Sequence, residues 1–318
     1  KLLADLDPVA GYRYVAGEYH SVMKLTVVTS MSDAWTVFIR TDTNQVIDKL
    51  QLSYDQSSVS SSGIDLLGET QVFFSQPLSN GAYRLIDYSF PATTGSQTTI
   101  GNMQNSEDFS AAVYVDAVSP SGPWDAAAVS ALVNSRKSYD YFKNTFGRNG
   151  IDGDDGEMLA FIHYKSNLVN AIYLDIGGGM MAYGDGDGVL SNSLARSLDV
   201  AGHELAHGVV ARTAGLEYRF QSGALNESFA DFFGTQIDGD DWLLGEDTWL
   251  QGPDCGGGQK CLRNMANPAL SYSAQPTHMD EFQNLSIDVD KGGVHINSGI
   301  PNRALYLLAE GLSNAVGR

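Results

Sequence analysis

The hydrophobic pattern of the chain changes from alternation to helical spacing along its length. Residues 1 to about 52 contain short runs in which apolar and polar residues alternate, and the alternation returns between about residues 64 and 122. From Trp124 to Phe146 apolar residues recur at helical spacing, with Asp125 in the first turn. Beyond Leu194 the pattern is mostly helical. This order predicts an α+β fold, a β-rich domain followed by a mainly α-helical domain.

A serine-rich stretch interrupts the β-like part. Residues 53–63 (S-Y-D-Q-S-S-V-S-S-S-G) have the composition of an exposed linker, which a protease cuts easily. We therefore expect an N-terminal segment at 1–52, a linker at 53–63, a β-rich domain at 64–198 and an α-helical domain at 199–318.

Composition and charge exclude some classes of partner. The 318 residues are 43% hydrophobic and carry a formal net charge of −19. Nucleic acids and anionic membrane surfaces both need a basic footprint, so neither is an expected partner. The sequence has no apolar run long enough to cross a bilayer. Its many carboxylates make calcium sites possible.

Two local features bear on processing. The chain starts at Lys1 without a Met, so we expect it to be cut from a longer precursor. Cys255 and Cys261 flank a glycine-rich loop, and in a secreted protein a small disulfide is favoured over two free thiols.

The strongest chemical signal is H-E-L-A-H at residues 203–207. Residues four apart lie on one face of a helix, so His203 and His207 can reach a single zinc ion. Glu204 between them is a candidate general base. The alternative is an amphipathic helix that happens to carry two histidines.

A third ligand is needed, because catalytic zinc uses three protein ligands and one open position. The helical pattern S-G-A-L-N-E-S-F-A-D-F-F-G offers Glu227 for this role. Asp231, four residues later, would orient His203, and Asn226 could orient His207. The alternative makes these residues a solvated helix face.

Competing zinc classes can be compared with the residues. A metzincin needs Gly and His where this chain has Val210 and Thr213, which excludes that class. Zinc aminopeptidases carry a downstream Glu at nearly this spacing, but they also bring a G-x-M-E-N segment that this chain lacks.

Several segments, in one order, resemble the thermolysin family of zinc metallopeptidases. They are H-E-L-A-H-G-V-V-A-R-T-A-G-L-E-Y, S-G-A-L-N-E-S-F-A-D-F-F-G, N-A-I-Y, Y-G-D-G-D-G and G-G-V-H-I-N-S-G-I, between about residues 160 and 303. The resemblance implies a zinc site between a β-rich and an α-helical domain. It also implies that residues 1–52 are the end of a propeptide, and that a further helical lobe would normally follow Arg318.

The resemblance assigns chemical roles to single residues. Glu204 would take the proton of the attacking water and pass it to the leaving amine. Tyr218 and His295 would donate to the oxyanion, and Asp290 would orient His295.

The same resemblance implies the residues that bind substrate. Asn170 and Ala171 would bind the substrate backbone, and Arg263 the carbonyl after the cut. An apolar pocket lined by Leu194, Val200, Leu244 and Leu262 would favour cleavage before Leu, Phe, Ile or Val.

A structural calcium site is also implied. Its ligands would be Asp199, Asp238, Asp241 and Glu246. Leu243 replaces a carboxylate of the family, so we expect one ion. Asp185 and Asp187, in Y-G-D-G-D-G, are expected to form a turn.

Together these patterns predict a secreted zinc endopeptidase made as a zymogen. Its partners would be protein and peptide substrates and its own propeptide. Two alternatives stay open: a zinc aminopeptidase, and a catalytically silent binding or inhibitory module that keeps the fold.

Overall fold

A computed structural model describes residues 3–4, 9–15, 18–30, 33–51, 58–90, 97–176 and 178–311. The chain divides into two compact units, Lys1–Ser57 and Ser58–Arg318. Each unit is taken by itself.

The first unit is an antiparallel sheet. The long central strand β3 pairs with β4 on one edge and with β2 and then β1 on the other, and β5 pairs with β4. These strands lie in the segment that alternation predicted to be β-rich. Their bounds are β1 Leu3–Ala4, β2 Val9–Val15, β3 Glu18–Ser30, β4 Asp33–Arg40 and β5 Val46–Gln51.

The second unit contains the predicted order of strands followed by helices, which confirms the α+β fold class. Its strands are β6 Val59–Ile64, β7 Thr70–Pro77, β8 Tyr83–Arg84, β9 Ile86–Asp87, β10 Thr98–Asn102, β11 Val113–Tyr114, β12 Asp116–Ala117, β13 Met158–Ile162, β14 Ala171–Leu174, β15 Met180–Tyr183, β16 Leu243–Leu244 and β17 Arg263–Asn264. Its helices are α1 Ala126–Phe146, α2 Leu198–Ala211, α3 Phe220–Asp238, α4 Asp290–Asn297 and α5 Gly299–Glu310.

Strand β6 corrects part of the predicted linker. It pairs antiparallel with β7, and the hydroxyls of Ser61 and Ser75 lie 2.7 Å apart in the buried layer. The serines therefore satisfy their polar groups across two strands, which composition alone does not reveal. Residues 53–57 of that linker lie outside the described residues.

A mixed sheet forms one side of the cleft that is described in the next subsection. Its order is β11-β10-β13-β15-β14, with β9 also paired to β10; β10, β13 and β15 are parallel, and β14 is antiparallel to β15. Among the described strands, β14 pairs only with β15, so it is an edge strand. The carbonyl of Asn170 accepts from the N–H of Gly184. Antiparallel pairing alternates, so Ala171 and Tyr173 turn their backbone groups towards the free edge.

Helix α1 packs between the sheets and α2. Asp125 Oδ1 accepts from the N–H groups of Ala127 and Ala128, and Gly147 ends the helix in a left-handed conformation. The helix bounds confirm the prediction from spacing. The surrounding core includes Leu132, Ile100, Met158, Met181 and Leu205.

A charged network joins the ends of three elements of this unit. His163, directly after β13, lies 2.9 Å from Asp125 Oδ2 through Nε2 and 2.7 Å from Asp185 Oδ2 through Nδ1. Hydrogen bonds to Asp125 and Asp185 raise the pKa of His163 to about 10. Asp187, in the same loop as Asp185, accepts from the N–H groups of Val189 and Leu190, as a turn-forming residue does.

Helices α2 and α3 cross closely at a glycine. A Cβ atom at Gly234 would lie 2.5 Å from the carbonyl oxygen of Asp199, so a side chain there would force the helices apart. The crossing brings the middle of α3 beside the middle of α2, where the predicted metal ligands lie.

Candidate metal centre and active-site cleft

Helix α2 presents its two histidines to one point. The Nε2 atoms of His203 and His207 lie 2.9 Å apart, one helical turn from each other. Burial lowers the pKa of His207 to about 4. It is therefore neutral near pH 7, the form in which an imidazole binds a metal ion.

Helix α3 supplies the third group. Glu227 is fully buried, with Oε2 3.6 Å from His203 Nε2 and Oε1 3.4 Å from His207 Nε2. Burial opposes its ionisation, but nearby imidazoles, His295 foremost, outweigh it and hold the pKa of Glu227 at about 2. Oε2 accepts no hydrogen bond from any described residue. A buried carboxylate oxygen without a donor is costly and indicates a cation at this position.

The spacing of the three donors fits zinc. Ligand atoms around a tetrahedral zinc ion with bonds of about 2.0–2.1 Å lie about 3.3 Å apart. The two Nε2 atoms lie 2.9 Å apart, and each lies 3.4 or 3.6 Å from one oxygen of the Glu227 carboxylate, so these separations fall on either side of that value. His203, His207 and Glu227 can therefore hold such an ion with modest adjustment.

Hydrogen bonds fix both rings from behind. Asp231 Oδ1 lies 2.8 Å from His203 Nδ1, and Asn226 Oδ1 lies 2.7 Å from His207 Nδ1, the contacts that the spacing predicts. Both leave Nε2 to face the metal position. Arg263 also holds Asp231, with Nε and Nη2 donating at 2.8 and 2.6 Å.

The candidate base and the candidate oxyanion donors lie in the same cleft. Glu204 is 5% exposed, and burial raises its pKa to about 7. The Tyr218 hydroxyl donates to Glu227 and lies 3.1 Å from His295 Nε2. Asp290 accepts from the backbone N–H of His295 at 2.8 Å and lies 2.6 Å from its Nδ1.

The cleft of about 720 Å³ runs along α2. Val200, in the first turn of the helix, lines it with the apolar residues Leu194, Leu244 and Leu262, and Asn170, Ala171 and Arg263 line it too. Ala211 lies at the other end, 11 residues after Val200, or about 16 Å along a helix. Tyr173, Asp175 and Leu216 also line the cleft.

Trp249 is a lining residue that sequence reasoning missed. It is 7% exposed and belongs to the same buried cluster as Leu194 and Val200. Its backbone bridges to Ser191, and its ring contacts Tyr272 edge-on. Its loop has neither helical nor strand periodicity, so no pattern in the sequence pointed to it.

An acidic cluster lies beyond the C-terminus of α3. One oxygen from each of Asp238, Asp240 and Glu246 falls within 4.8 Å of the others. Burial and the charge of Asp199 raise the pKa of Glu246 well above its usual range, and Glu246 Oε2 has no hydrogen-bond partner among the described residues. Such a set fits a calcium ion, which needs several oxygens.

The cluster differs from the predicted ligand set at two positions: it contains Asp240 in place of Asp241, and Asp199 is not among its members. Asp241 accepts from the N–H of Leu243 at 2.7 Å, and its neighbour Asp240 stands with Asp238 and Glu246. Asp199 is fully buried and accepts from the N–H of Val200 at 2.5 Å.

The cysteine prediction is confirmed. Cys255 and Cys261 form a disulfide and are buried beside Leu243. Cys261 directly precedes Leu262 and Arg263, two residues that line the cleft. The bridge therefore closes a loop next to the site.

Comparisons with known proteins agree with this architecture. Residues 60–211 match the catalytic domain of thermolysin metallopeptidases, and residues 214–318 match their α-helical domain. The division expected from the sequence, at 198/199, lies before α2, and the two matches adjoin after it.

Individual relatives give the same result. The chain is 36% identical to a bacillolysin of Brevibacillus brevis over 310 residues, covering 96% of this chain and 55% of the relative. It is 37% identical to an extracellular elastase of Staphylococcus epidermidis over 286 residues, covering 86% of this chain and 51% of the relative. It thus spans about half the length of these relatives.

A solved structure shares the fold. The precursor of protealysin, a metalloproteinase from Serratia proteamaculans, is 35% identical with a TM-score of 0.59, covering 68% of this chain and 69% of that one. Two adjoining family matches and this structural similarity agree on one family. The chain belongs to the thermolysin metallopeptidase family.

Proposed function

We propose that the protein is a secreted zinc endopeptidase that cleaves before hydrophobic residues. The observation that carries the proposal is the convergence of His203, His207 and Glu227 on one point, where a buried oxygen of Glu227 accepts no hydrogen bond from a described residue. These three residues would hold a zinc ion, which when bound would supply a Lewis acid for the scissile carbonyl and for a bound water.

Glu204 acts as the general base. Its pKa of about 7 suits a group that takes a proton from the attacking water and returns it to the leaving amine at neutral pH. Tyr218 and His295 donate to the oxyanion of the carbonyl, and Asp290 holds the His295 ring in position for this. Asp231 and Asn226 keep the two ligand rings oriented.

The substrate binds as an added strand on β14. The backbone groups of Ala171 and Tyr173 face the free edge, where an extended peptide can pair with them. Asn170 adds a side-chain contact, and Arg263 grips the carbonyl after the cut. The apolar end of the cleft, Leu194, Val200, Leu244 and Leu262, takes Leu, Phe, Ile or Val after the cut.

The shape of the cleft favours an endopeptidase over an aminopeptidase. Lining residues continue past the metal position to Tyr173, Asp175 and Ala211, which leaves room for substrate on both sides of the cut.

We also propose that residues 1–52 are the end of an inhibitory propeptide, and that Asp199, Asp238 and Glu246, with Asp240, hold one calcium ion. Among the described residues, no helix has the length and apolar character to cross a membrane.

The test combines metal analysis with activity. The full-length protein should contain one zinc, hydrolyse casein and N-blocked peptides, and lose both metal and activity on chelation. Glu204→Gln should keep the zinc and lose about 10³-fold in kcat/KM. Glu69→Gln, in the turn between β6 and β7, is the matched control and should keep full activity.

Several results would contradict this proposal. Unchanged turnover in Glu204→Gln would refute the role of the base. Cleavage restricted to free N-termini would support the aminopeptidase instead. Bound zinc without hydrolysis of any peptide would support the silent binding module.

A further inference from the structure

Arg212 ties the far end of the edge strand to the metal-bearing helix. It is the first residue after α2, five residues beyond His207. Its Nη1 donates to the Tyr173 hydroxyl at 2.8 Å and lies 2.7 Å from Asp175 Oδ1. One guanidinium nitrogen therefore holds two cleft-lining residues of the β14 segment.

The ring of Tyr173 lies directly on α2. A Cβ atom at Gly208 would come within 2.9 Å of its Cε2 atom and 3.0 Å of Cζ. The ring can approach this closely only because residue 208 has no side chain. Gly208 follows His207, so the ring packs beside the metal-ligating turn.

The Tyr173 hydroxyl is a hydrogen-bond acceptor for Arg212. Burial raises the pKa of Tyr173 to about 12, so the phenol stays protonated at working pH. It accepts from Arg212 and lies 3.4 Å from Asp175 Oδ1. The side chain of Arg212 is 22% exposed. Its positive charge, directly after the C-terminus of α2, also interacts favourably with the helix dipole.

The three residues occupy the end of the cleft that lies away from the apolar pocket. The residues of α2 that line the cleft follow one another along the helix from Val200 through the two histidines to Ala211. The pocket for the residue after the cut lies at the Val200 end. The Tyr173 end therefore receives substrate residues before the cut.

We propose that Arg212 is a positioning residue for extended substrates, setting the distance between β14 and α2 where residues before the cut pair with Tyr173. This inference rests on the proposed endopeptidase function. Backbone pairing with β15 holds β14 along one edge. Its distance from the candidate metal ligands is set by the packing of Tyr173 against α2. Loss of Arg212 frees the Tyr173–Asp175 end and leaves the metal ligands in place.

The experiment uses two N-blocked peptides with the same residues after the cut. The short peptide has one residue before the cut, and the long one has four. Zinc-loaded, full-length wild type, Arg212→Ala and Arg212→Lys are assayed for kcat and KM. Arg212→Ala should lower kcat/KM for the long peptide at least about five-fold more than for the short one, mainly through KM. Arg212→Lys should recover part of that difference, because an ammonium can still bridge the two oxygens.

A matched control exists on another sheet. Arg84 pairs with Asp116 at 2.8 Å, and its side chain is about as exposed as that of Arg212. Arg84→Ala should change kcat/KM by the same factor for both peptides. An equal loss on both peptides in Arg212→Ala would mean that Arg212 only stabilises the fold, and would overturn the inference. The inference would also be overturned if Arg212→Ala had the kcat/KM of wild type for both peptides. If wild type cleaves neither peptide, the proposed function itself fails.

Discussion

The network around His163 gives a prediction about stability that is independent of the metal. We expect His163→Asn to destabilise the protein at neutral pH by removing a charge that bridges two carboxylates. His163 has a left-handed backbone (φ 53), a conformation that Asn adopts readily. The substitution therefore tests the charge with little added backbone strain.

The magnitude follows from the pKa of His163. It rises from an ordinary 6.5 to about 10 because the ring hydrogen-bonds to Asp125 and Asp185. At about 1.4 kcal/mol per unit of pKa, the charge of His163 can stabilise the folded state by at most about 5 kcal/mol. The side chain is 24% exposed and the carboxylates about a third, so solvent screens part of this. We expect a loss of about 2–3 kcal/mol, or about 4–10 °C in Tm.

The pH dependence has a definite sign. A raised pKa stabilises the fold fully below the unfolded value of 6.5, and the contribution is lost as the pH rises through about 10. The difference between wild type and His163→Asn should therefore be largest near pH 6 and vanish above pH 10.

Thermal melting from pH 6 to 10.5 measures this, in a Glu204→Gln background that prevents self-digestion. Lys165→Asn is the control: it lies two residues away, also has a left-handed backbone (φ 55), and loses an ion pair to Glu107. That pair is exposed, so its loss should have little effect. A His163→Asn variant equal to wild type at pH 6, or a difference that persists at pH 10.5, would refute the reasoning.

Three further predictions concern the cleft and the loops beside it. Trp249→Ala should enlarge the apolar pocket and raise the preference for Phe over Leu after the cut by about ten-fold, measured as a ratio of kcat/KM; an unchanged ratio would place Trp249 outside the specificity pocket. Replacing both Cys255 and Cys261 by Ala should lower stability by about 2 kcal/mol in denaturant unfolding, and a reductant should then have no further effect, whereas it should destabilise wild type. Asp240→Asn should reduce the gain in Tm from added calcium more than Asp241→Asn does, and the reverse order would restore Asp241 as the ligand.

Local spacing made much of the metal site predictable. His203 and His207 belong to one helix, where a separation of four residues fixes their relation before any tertiary contact is known. Glu227 is different, because it lies on another helix. Its assignment as the third ligand rests on a helical pattern and on the three protein ligands that catalytic zinc needs, since spacing within one helix says nothing about which neighbour it meets.

Other features could not be predicted from the sequence for identifiable reasons. Asp240 and Asp241 are adjacent acids, and which one faces Asp238 depends on the path of the chain after Gly239, which ends α3 in a left-handed conformation (φ 82). Trp249 lies in a loop, where hydrophobicity carries no periodic signal. Strand β6 is serine-rich, and its composition resembles that of a linker until its partner β7 is known.

The glycine crossing of α2 and α3 connects the two candidate ion sites mechanically. Asp199 and His203 are one turn apart on α2, while Gly234 and Asp238 are one turn apart on α3. At residue 234 the nearest atom is a backbone carbonyl oxygen, that of Asp199, which cannot turn aside as a flexible side chain can. A single added methyl group there would therefore shift Asp199 and the helix that carries His203 together, and so disturb both candidate ion sites at once.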